Sequence, residues 1–313
     1  MSFHSMPDAE AIRRQVLLAL AANRTPGFHF PGHLLGCAWP RIGEDELEQT
    51  MVDVPLSRNV DGSISLAAFC VLLDTALATA SRLRIERGAR QATVHLHAQF
   101  TGAPLHGDLT AHARMGGYTS GTAARESLTT GTVYAGGVAA CQASATFVVL
   151  PPPPGVNLAP LPWQREDRGA PVAPLGSKDL EPEEKQVMAA CNSALRRADH
   201  QRAFIEHFWR ILPVPNDSGA RCTVRLGPQH ANRVRHVQGG LLLGLAATNA
   251  RAAAPGHPRL SAIAAWYISP GQGTALKIIS RRFHEGRSFA AVRTEIRNTD
   301  GSRALEVVSH HAA

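Results

Sequence analysis

A segment that occurs twice places the strongest constraint on what this chain can fold into. The first copy begins at Asn59 and leads into an apolar run from Ala68 that contains Asp74, and the second begins at Asn232 and leads into an apolar run from Leu241. The offset is constant, because 232 − 59 and 247 − 74 both equal 173. Two segments in register in this way predict two modules with one fold.

Strand-like segments follow the apolar run in both copies. Residues 92–100 alternate between apolar and polar side chains, which is typical of a half-buried strand and puts Thr93 on the polar face. Further strands are predicted at 108–115, 123–134, 138–149, 275–283, 288–298 and 302–310. A helix that is apolar on every side must be buried, and a curled sheet wrapped around it would bury it.

The length of the chain fits two such modules. At 313 residues it exceeds the usual size of one domain. Residues 151–174 hold eight prolines, a composition typical of a semi-rigid spacer. We therefore expect an N-terminal module at 1–150, a proline-rich linker with a connecting helix at 151–198, and a C-terminal module at 199–313. Helices are predicted at 9–22, 180–197 and 200–212.

Charge and hydropathy restrict the classes of partner. The net charge of +7 suits nucleic acid, anionic lipid or a phosphate-bearing small molecule. The arginines are scattered and aromatic residues are only 5%, so no nucleic-acid partner is expected. No apolar run approaches the length of about 20 residues that a membrane span needs, and the first residues lack the apolar core of a signal peptide. These features predict a cytoplasmic protein without a membrane partner.

The cysteines indicate neither a metal site nor a disulfide framework. The five cysteines lie far apart, without a C-x-x-C pair and without a histidine at metal-ligand spacing. They are Cys37, Cys70, Cys141, Cys191 and Cys222. We expect buried thiols and no metal.

The spacing of polar residues in the repeat resembles a known family. An Asn, five residues, His-Gly-Gly, six residues and then an acid within the helix is the pattern of PaaI-like hotdog acyl-CoA thioesterases. Here Asn232 precedes Gln238-Gly239-Gly240, and Asn59 precedes Ser65-Leu66-Ala67 with Asp74 downstream. The resemblance implies an α+β double hotdog: two modules paired side by side, each a long buried helix wrapped by a curled antiparallel sheet. In that family one module's helix N-terminus and its partner's acid form each site.

The two copies have lost complementary parts of the pattern. One composite site would join Asp74 to Gly239 and Gly240, with Gln238 in place of the family's His. The other would face Ser65-Leu66-Ala67 with Ala247 and contain no acid. The sequence therefore predicts one working site per chain.

The chemistry of these groups suits thioester cleavage. Unpaired N–H groups at a helix N-terminus can hold a carbonyl oxygen as it becomes an oxyanion, and glycine allows close approach. Asp74 could attack the thioester carbon or deprotonate a water, and both routes stay open. The resemblance further implies that Asn232 steadies the water or the carbonyl and that Thr93 helps to hold the nucleophile.

Each of these residues also has a structural alternative. Asp74 could pair inside a buried helix, the glycines could serve tight packing, and Asn232 could be a turn residue. Three arginines near the turn at 285–286 could contact the phosphates of coenzyme A, although solvated strand ends are their ordinary use. They are Arg281, Arg282 and Arg287.

The function expected from the sequence is hydrolysis of an acyl-CoA thioester, with coenzyme A as part of the substrate and no separate cofactor. The missing His and the incomplete second site leave open a non-catalytic acyl-CoA-binding protein. A hotdog-fold enoyl-CoA hydratase or dehydratase is a third alternative, but its motif is not visible. The modules are expected to pair as a pseudo-dimer within one chain, with further homo-oligomerisation open. The acyl group cannot be identified from these residues.

Overall fold

A computed structural model describes residues 8–85, 89–119, 126–150, 159–165 and 172–313. The helices are α1 (Ala9–Asn23), α2 (Phe30–Leu34), α3 (Leu66–Arg82), α4 (Pro182–Arg197), α5 (Phe204–Phe208) and α6 (Gly239–Ala253). The strands of the N-terminal half are β1 (Ala38–Ile42), β2 (Glu46–Met51), β3 (Arg90–Phe100), β4 (Leu109–Tyr118), β5 (Glu126–Ala135) and β6 (Val138–Leu150). Those of the C-terminal half are β7 (Val214–Asn216), β8 (Gly219–Arg225), β9 (Arg259–Tyr267), β10 (Ala275–Glu285), β11 (Phe289–Asn298) and β12 (Arg303–Ala312).

One antiparallel sheet joins both halves of the chain. Its order is β1-β2-β4-β5-β6-β3-β9-β12-β11-β10-β8-β7, so each half supplies six strands in the same arrangement. The halves meet where β3 pairs with β9, His95 lying opposite Trp266 and Gln99 opposite Ala262. The sheet does not close into a barrel. This is the expected α+β double hotdog, two modules paired side by side.

The two long helices α3 and α6 pack against each other and against the sheet. Nearly every side chain of α3 is buried, including Phe69 and Leu72 at 0% exposure. Burial of a large apolar side chain such as these two stabilises the fold by about 1.5–3 kcal/mol. The helices approach closely at Gly244, where an added Cβ would lie 2.4 Å from the Cα of Ala67. This contact places the first turn of α6 beside the middle of α3.

The loops that precede α3 and α6 have equivalent hydrogen bonds at the offset of 173 residues. Asn59 N donates to Ser63 O at 2.7 Å, and Asn232 N donates to His236 O at 2.6 Å. Each loop then ends at a side chain that caps its helix, Ser65 for α3 and Gln238 for α6. The repeated segment is therefore one structural element used twice.

The connecting helix α4 packs on α1, the first helix of the chain. Arg24 forms an ion pair with Glu184 at 2.7 Å, and Arg13 Nε donates to Asn192 Oδ1 at 3.1 Å. The predicted helix at 180–197 is confirmed, beginning at Pro182. None of the helices among the described residues is long and apolar enough to cross a membrane.

Two sequence expectations need correction. The predicted helix at 200–212 is wrong, because only Phe204–Phe208 is helical. Before this helix, residues 199–202 form a turn in which Gln201 N and Arg202 N donate to Asp199 Oδ1. After it, Arg210 has a positive φ of 56°, which is incompatible with a continuing helix. Five strands were also not predicted from the sequence: β1 and β2, which precede α3, β7 and β8, which precede α6, and β9. Residues 123–125 of the predicted strand at 123–134 lie outside the described residues.

Candidate active site

Asp74 lies in the middle of α3 and receives hydrogen bonds from both modules. Thr93 Oγ1, from β3 of the same module, donates to Asp74 Oδ1 at 3.0 Å. From the other module, Gln238 Nε2 and Gly240 N donate to Asp74 Oδ2 at 2.8 and 2.9 Å. The structure thus brings together Asp74, Thr93, Gln238 and Gly240 across the contact between α3 and α6.

The environment of Asp74 opposes its charge but does not prevent it. The side chain is 4% exposed. Burial raises its pKa, the hydrogen bonds from Thr93, Gly240 and Gln238 lower it by smaller amounts, and the resulting pKa is about 6. At neutral pH most molecules therefore carry a carboxylate here. A poorly solvated carboxylate with a pKa near neutrality is suited to act as a nucleophile or a general base.

Gln238 performs two tasks at the start of α6. Its Oε1 accepts from Leu241 N at 2.6 Å and so caps the helix, while its Nε2 donates to Asp74. A neutral imidazole offers the same pair of groups, one acceptor nitrogen and one donor nitrogen. Gln238 therefore maintains the two hydrogen bonds that a histidine at this position could make, without its titration.

Gly239 supplies a backbone donor beside the carboxylate. Its N–H has no hydrogen-bond partner among the described residues, and its carbonyl accepts from Tyr267 Oη at 3.1 Å. A Cβ on Gly239 would lie 3.0 Å from Asp74 Oδ2 and 3.3 Å from Thr93 Oγ1. Glycine thus leaves open the space where a carbonyl group could approach both the donor and the carboxylate.

Thr93 reaches Asp74 because β3 is irregular at that point. The pairing of β3 with β6 shifts register between Thr93 and His95. Strict alternation would have placed Thr93 on the same face as His95, but the irregularity turns it inward, towards the side that holds buried Leu96. The sequence alone could not give this direction.

A cavity of about 490 Å³ adjoins this cluster of hydrogen-bonded groups. It runs along one face of α3 and is bordered by both modules and by the segment at 159–165. Its lining includes Asp74, Thr75, Ala78, Thr79, Arg82, Arg90, Thr93, Phe147, Trp163, Asn232, Arg233, Gly239, Leu242 and Tyr267. A pocket of this size, largely apolar with a few convergent polar groups, is typical of a small-molecule site.

Asn232 borders the same cavity but is engaged in its own loop. Its Oδ1 accepts from Val234 N at 2.9 Å and from His236 N at 3.1 Å. These are the contacts of the turn residue that the sequence left as the alternative. Its role towards a substrate stays a prediction.

The three arginines proposed for coenzyme A do not border this cavity. Arg281 and Arg282 lie on β10, and Arg287 follows in the turn to β11. Arg282 is bound within its own module, donating to Ala253 O at 2.9 Å and pairing with Glu285 at 3.2 Å. Sequence reasoning instead missed three arginines that do line the cavity, namely Arg82, Arg90 and Arg233. They come from three separate segments, and no spacing connects them in the sequence.

The second composite position lacks the corresponding chemistry. Ser65 Oγ caps α3 by accepting from Ala68 N at 3.2 Å. The residue equivalent to Asp74 is Ala247, which is fully buried and has no titratable group. Among the described residues, no group of three or more His, Cys, Asp or Glu side chains is placed to hold a metal ion.

Comparison with known proteins agrees with this architecture. Residues 228–312 match the family model described as the acyl-CoA thioesterase N-terminal domain. The matched residues lie within the C-terminal module. The hotdog thioesterase expected from the sequence is confirmed, while its PaaI subtype stays a prediction. No curated protein is similar to the chain in sequence.

Solved structures share the fold of this chain at low sequence identity. A protein described as an oleoyl thioesterase from Lactobacillus plantarum is 12% identical, with a TM-score of 0.55, covering 86% of this chain and 96% of its own. The 12:0-ACP thioesterase from Umbellularia californica is 10% identical, with a TM-score of 0.53 and coverage of 86% and 94%. A thioesterase structure from Novosphingobium aromaticivorans is 14% identical, with a TM-score of 0.52 and coverage of 88% and 98%. At these identities the likeness concerns the fold alone.

Proposed function

We propose that this chain hydrolyses an acyl-CoA thioester at one composite site, formed by Asp74 of the first module and the start of α6 in the second. The observation that carries the proposal is the pair of hydrogen bonds that Gln238 and Gly240 donate to Asp74, beside the N–H of Gly239. A carboxylate, an oxyanion donor and a cavity lie together at this point. The matched family model supports acyl-CoA as the substrate class.

The reaction follows from the chemistry of these groups. The thioester oxygen accepts from Gly239 N–H, at the positive end of the α6 dipole, where charge develops on the oxygen. In one route Asp74 attacks the carbonyl carbon, the C–S bond breaks, the thiolate of coenzyme A leaves and water hydrolyses the resulting anhydride. In the other route Asp74 takes a proton from water, which attacks directly. Both routes yield a carboxylic acid and a free thiol.

One of the solved structures is a thioesterase for a different carrier, acyl carrier protein. It is the 12:0-ACP thioesterase from Umbellularia californica, whereas the protein from Lactobacillus plantarum is described only as an oleoyl thioesterase. A thioester on an acyl carrier protein presents the same carbonyl and sulfur to Asp74 as one on coenzyme A. We favour coenzyme A because the family model that matches the C-terminal module names it.

The test is release of free thiol from a panel of acyl-CoA thioesters of increasing chain length. We expect the wild-type protein to release coenzyme A from at least one of them and the Asp74→Asn variant to release almost none. Unchanged thiol release by the variant would overturn the assignment of Asp74. Binding of coenzyme A with no release from any thioester would indicate the non-catalytic acyl-CoA-binding protein instead.

A further inference from the structure

The cavity beside Asp74 carries an excess of positive charge. Three arginines border it, namely Arg82, Arg90 and Arg233. Among the described residues that line it, Asp74 is the only carboxylate. A largely apolar cavity with this imbalance is suited to an anionic ligand.

None of the three arginines has an acidic partner among the described residues. Arg82 Nη1 donates to Ala89 O at 3.2 Å and Arg233 Nη1 to Gly27 O at 3.1 Å, while the buried Nε of Arg90 has no partner there. Burial and, to a smaller extent, the charge of Arg233 lower the pKa of Arg82 to about 9. Clustered cations of this kind are unfavourable until an anion joins them.

The position of Arg82 on α3 sets the distance between this arginine and Asp74. Arg82 follows Asp74 by eight residues on α3, and Thr75, Ala78 and Thr79 border the cavity between them. Eight residues of α-helix span about 12 Å. The cavity thus runs from the carboxylate along one face of α3 towards the guanidinium.

The repeat shows that two of these charges, those of Arg82 and Arg233, occur at one of its two composite positions only. At the offset of 173 residues, Arg233 corresponds to Val60 and Arg82 to Pro255, because 233 − 60 and 255 − 82 both equal 173. The position that lost the acid, with Ala247 in place of Asp74, therefore also lacks these two arginines. The cationic groups accompany the carboxylate, as parts of one site would.

We propose that Arg82, Arg90 and Arg233 form an anion-binding subsite, which holds a negatively charged group of the thioester about 12 Å along α3 from Asp74. The inference rests on the proposed function, because it assigns the ligand of the same cavity. Two parts of a thioester carry such a group. One is a carboxylate at the far end of the acyl chain, and the other is a phosphate of coenzyme A.

The test uses four thioesters and single-arginine variants. An unsubstituted acyl group and an ω-carboxyacyl group of equal length are each attached to coenzyme A and to N-acetylcysteamine, which has no phosphate. The variants are Arg82→Met and Arg233→Met, with Arg221→Met as the matched control because Arg221 is exposed on β8 and does not border the cavity. The measurement is kcat/KM of each protein for each thioester.

If the subsite holds a phosphate, both cavity variants lower kcat/KM by about 10-fold to 100-fold for the two coenzyme A thioesters only. If it holds the acyl carboxylate, both cavity variants lower kcat/KM to the same extent for the two ω-carboxyacyl thioesters only, on coenzyme A and on N-acetylcysteamine. Arg221→Met leaves all four values unchanged in both cases. Equal effects on all four thioesters, or no effect, would overturn the subsite.

A binding measurement separates the subsite from the proposed hydrolysis. Calorimetric titration of the Asp74→Asn protein with coenzyme A, and separately with the dicarboxylate adipate, needs no turnover. We expect Arg82→Met or Arg233→Met, added to Asp74→Asn, to weaken binding of one of these probes by about 10-fold or more. If the wild-type protein released thiol from no thioester, such a loss of binding would retain the subsite while the proposed hydrolysis failed. Unchanged binding of both probes would reject the subsite.

Discussion

At the scale of single residues, Asp74 is the group whose position most needs explanation. Between Leu73 and Thr75 it lies within a buried helix, and burial raises its pKa from 3.8 to about 6. A difference of about two pH units corresponds to about 3 kcal/mol against the charged form at neutral pH. A neutral side chain would make the fold more stable, so the retained carboxylate indicates chemistry.

The variant Asp74→Asn should therefore lose activity and gain stability. We expect thiol release to fall by about 100-fold or more. The pKa in the folded state is raised above its unfolded value, so the wild-type protein loses stability as pH rises from about 4 to about 6, and Asn does not. At about pH 8 the variant should have a higher unfolding temperature than the wild type, and this difference should vanish near pH 4. A variant that is less stable at about pH 8 would contradict the assigned cost of burial.

The same pKa predicts the pH dependence of the wild-type enzyme. Asp74 must be ionised to attack or to accept a proton, so kcat/KM should rise with pH and level off above about pH 6. Gln238, which does not titrate, adds no second transition from the helix N-terminus. The measurement is a profile of kcat/KM between about pH 4 and pH 8. A rate that is independent of pH across this range would argue against ionised Asp74 as the reactive group.

Gln238 and Ser65 form a matched pair, since both cap a long helix at equivalent positions. Replacing either by Ala should lower the free energy of unfolding by about 1 kcal/mol. Only Gln238→Ala should also lower kcat, by about 10-fold, because only Gln238 donates to Asp74. Gln238→His should restore much of the rate, since a neutral imidazole can accept from Leu241 N and donate to Asp74. Equal rate losses in the two Ala variants would show that the composite site is assigned to the wrong half.

At the scale of elements, the long helices and most later strands could be predicted because their periodicity is strong. The strand β9 was missed because its alanine-rich run lacks alternation and has weak strand propensity, although it is central to the sheet. Within the site, the repeat located Asp74, Gln238 and the two glycines. It could not orient Thr93, whose direction depends on the irregularity in β3, nor assemble arginines from three segments.

The contact between α3 and α6 can be tested at Gly244. A Cβ there would lie 2.4 Å from the Cα of Ala67, so Gly244→Ala must push the helices apart. We expect a loss of about 1–3 kcal/mol in unfolding free energy and a lower kcat, because Gly240 N would move away from Asp74.

Gly256→Ala provides the control for Gly244. An added Cβ at Gly256 meets nothing closer than Glu285 Oε1 at 3.9 Å, which is an ordinary contact. This variant should keep both its stability and its rate, as measured by thermal unfolding and thiol release. If Gly244→Ala behaved in the same way, the close approach of the helices would not be what positions the site.

At the scale of the whole molecule, the two modules are joined by contacts that do not depend on the linker. The β3–β9 pairing carries the sheet across the boundary, and α3 packs on α6 beneath it. The connecting helix α4 is held on α1 by the ion pair between Arg24 and Glu184, which is partly buried. A hydrogen bond of the candidate site crosses this boundary, because Gly240 N and Asp74 Oδ2 come from different modules.

Cutting the linker should therefore leave the enzyme intact. With a protease site inserted after Gly155, the cleaved protein should elute from a sizing column as one species and retain its thiol-release rate, since an apolar interface of this kind holds without a tether. A second experiment measures thiol release by fragments that are mixed and refolded. The N-terminal fragment of Asp74→Asn with the C-terminal fragment of the wild type should give an inactive complex. The matched mixture carries Ala247→Ser in the C-terminal fragment only and should remain active, because that position belongs to the half without an acid. Separation of the fragments under native conditions, or activity in either isolated fragment, would mean that the two halves do not share one site.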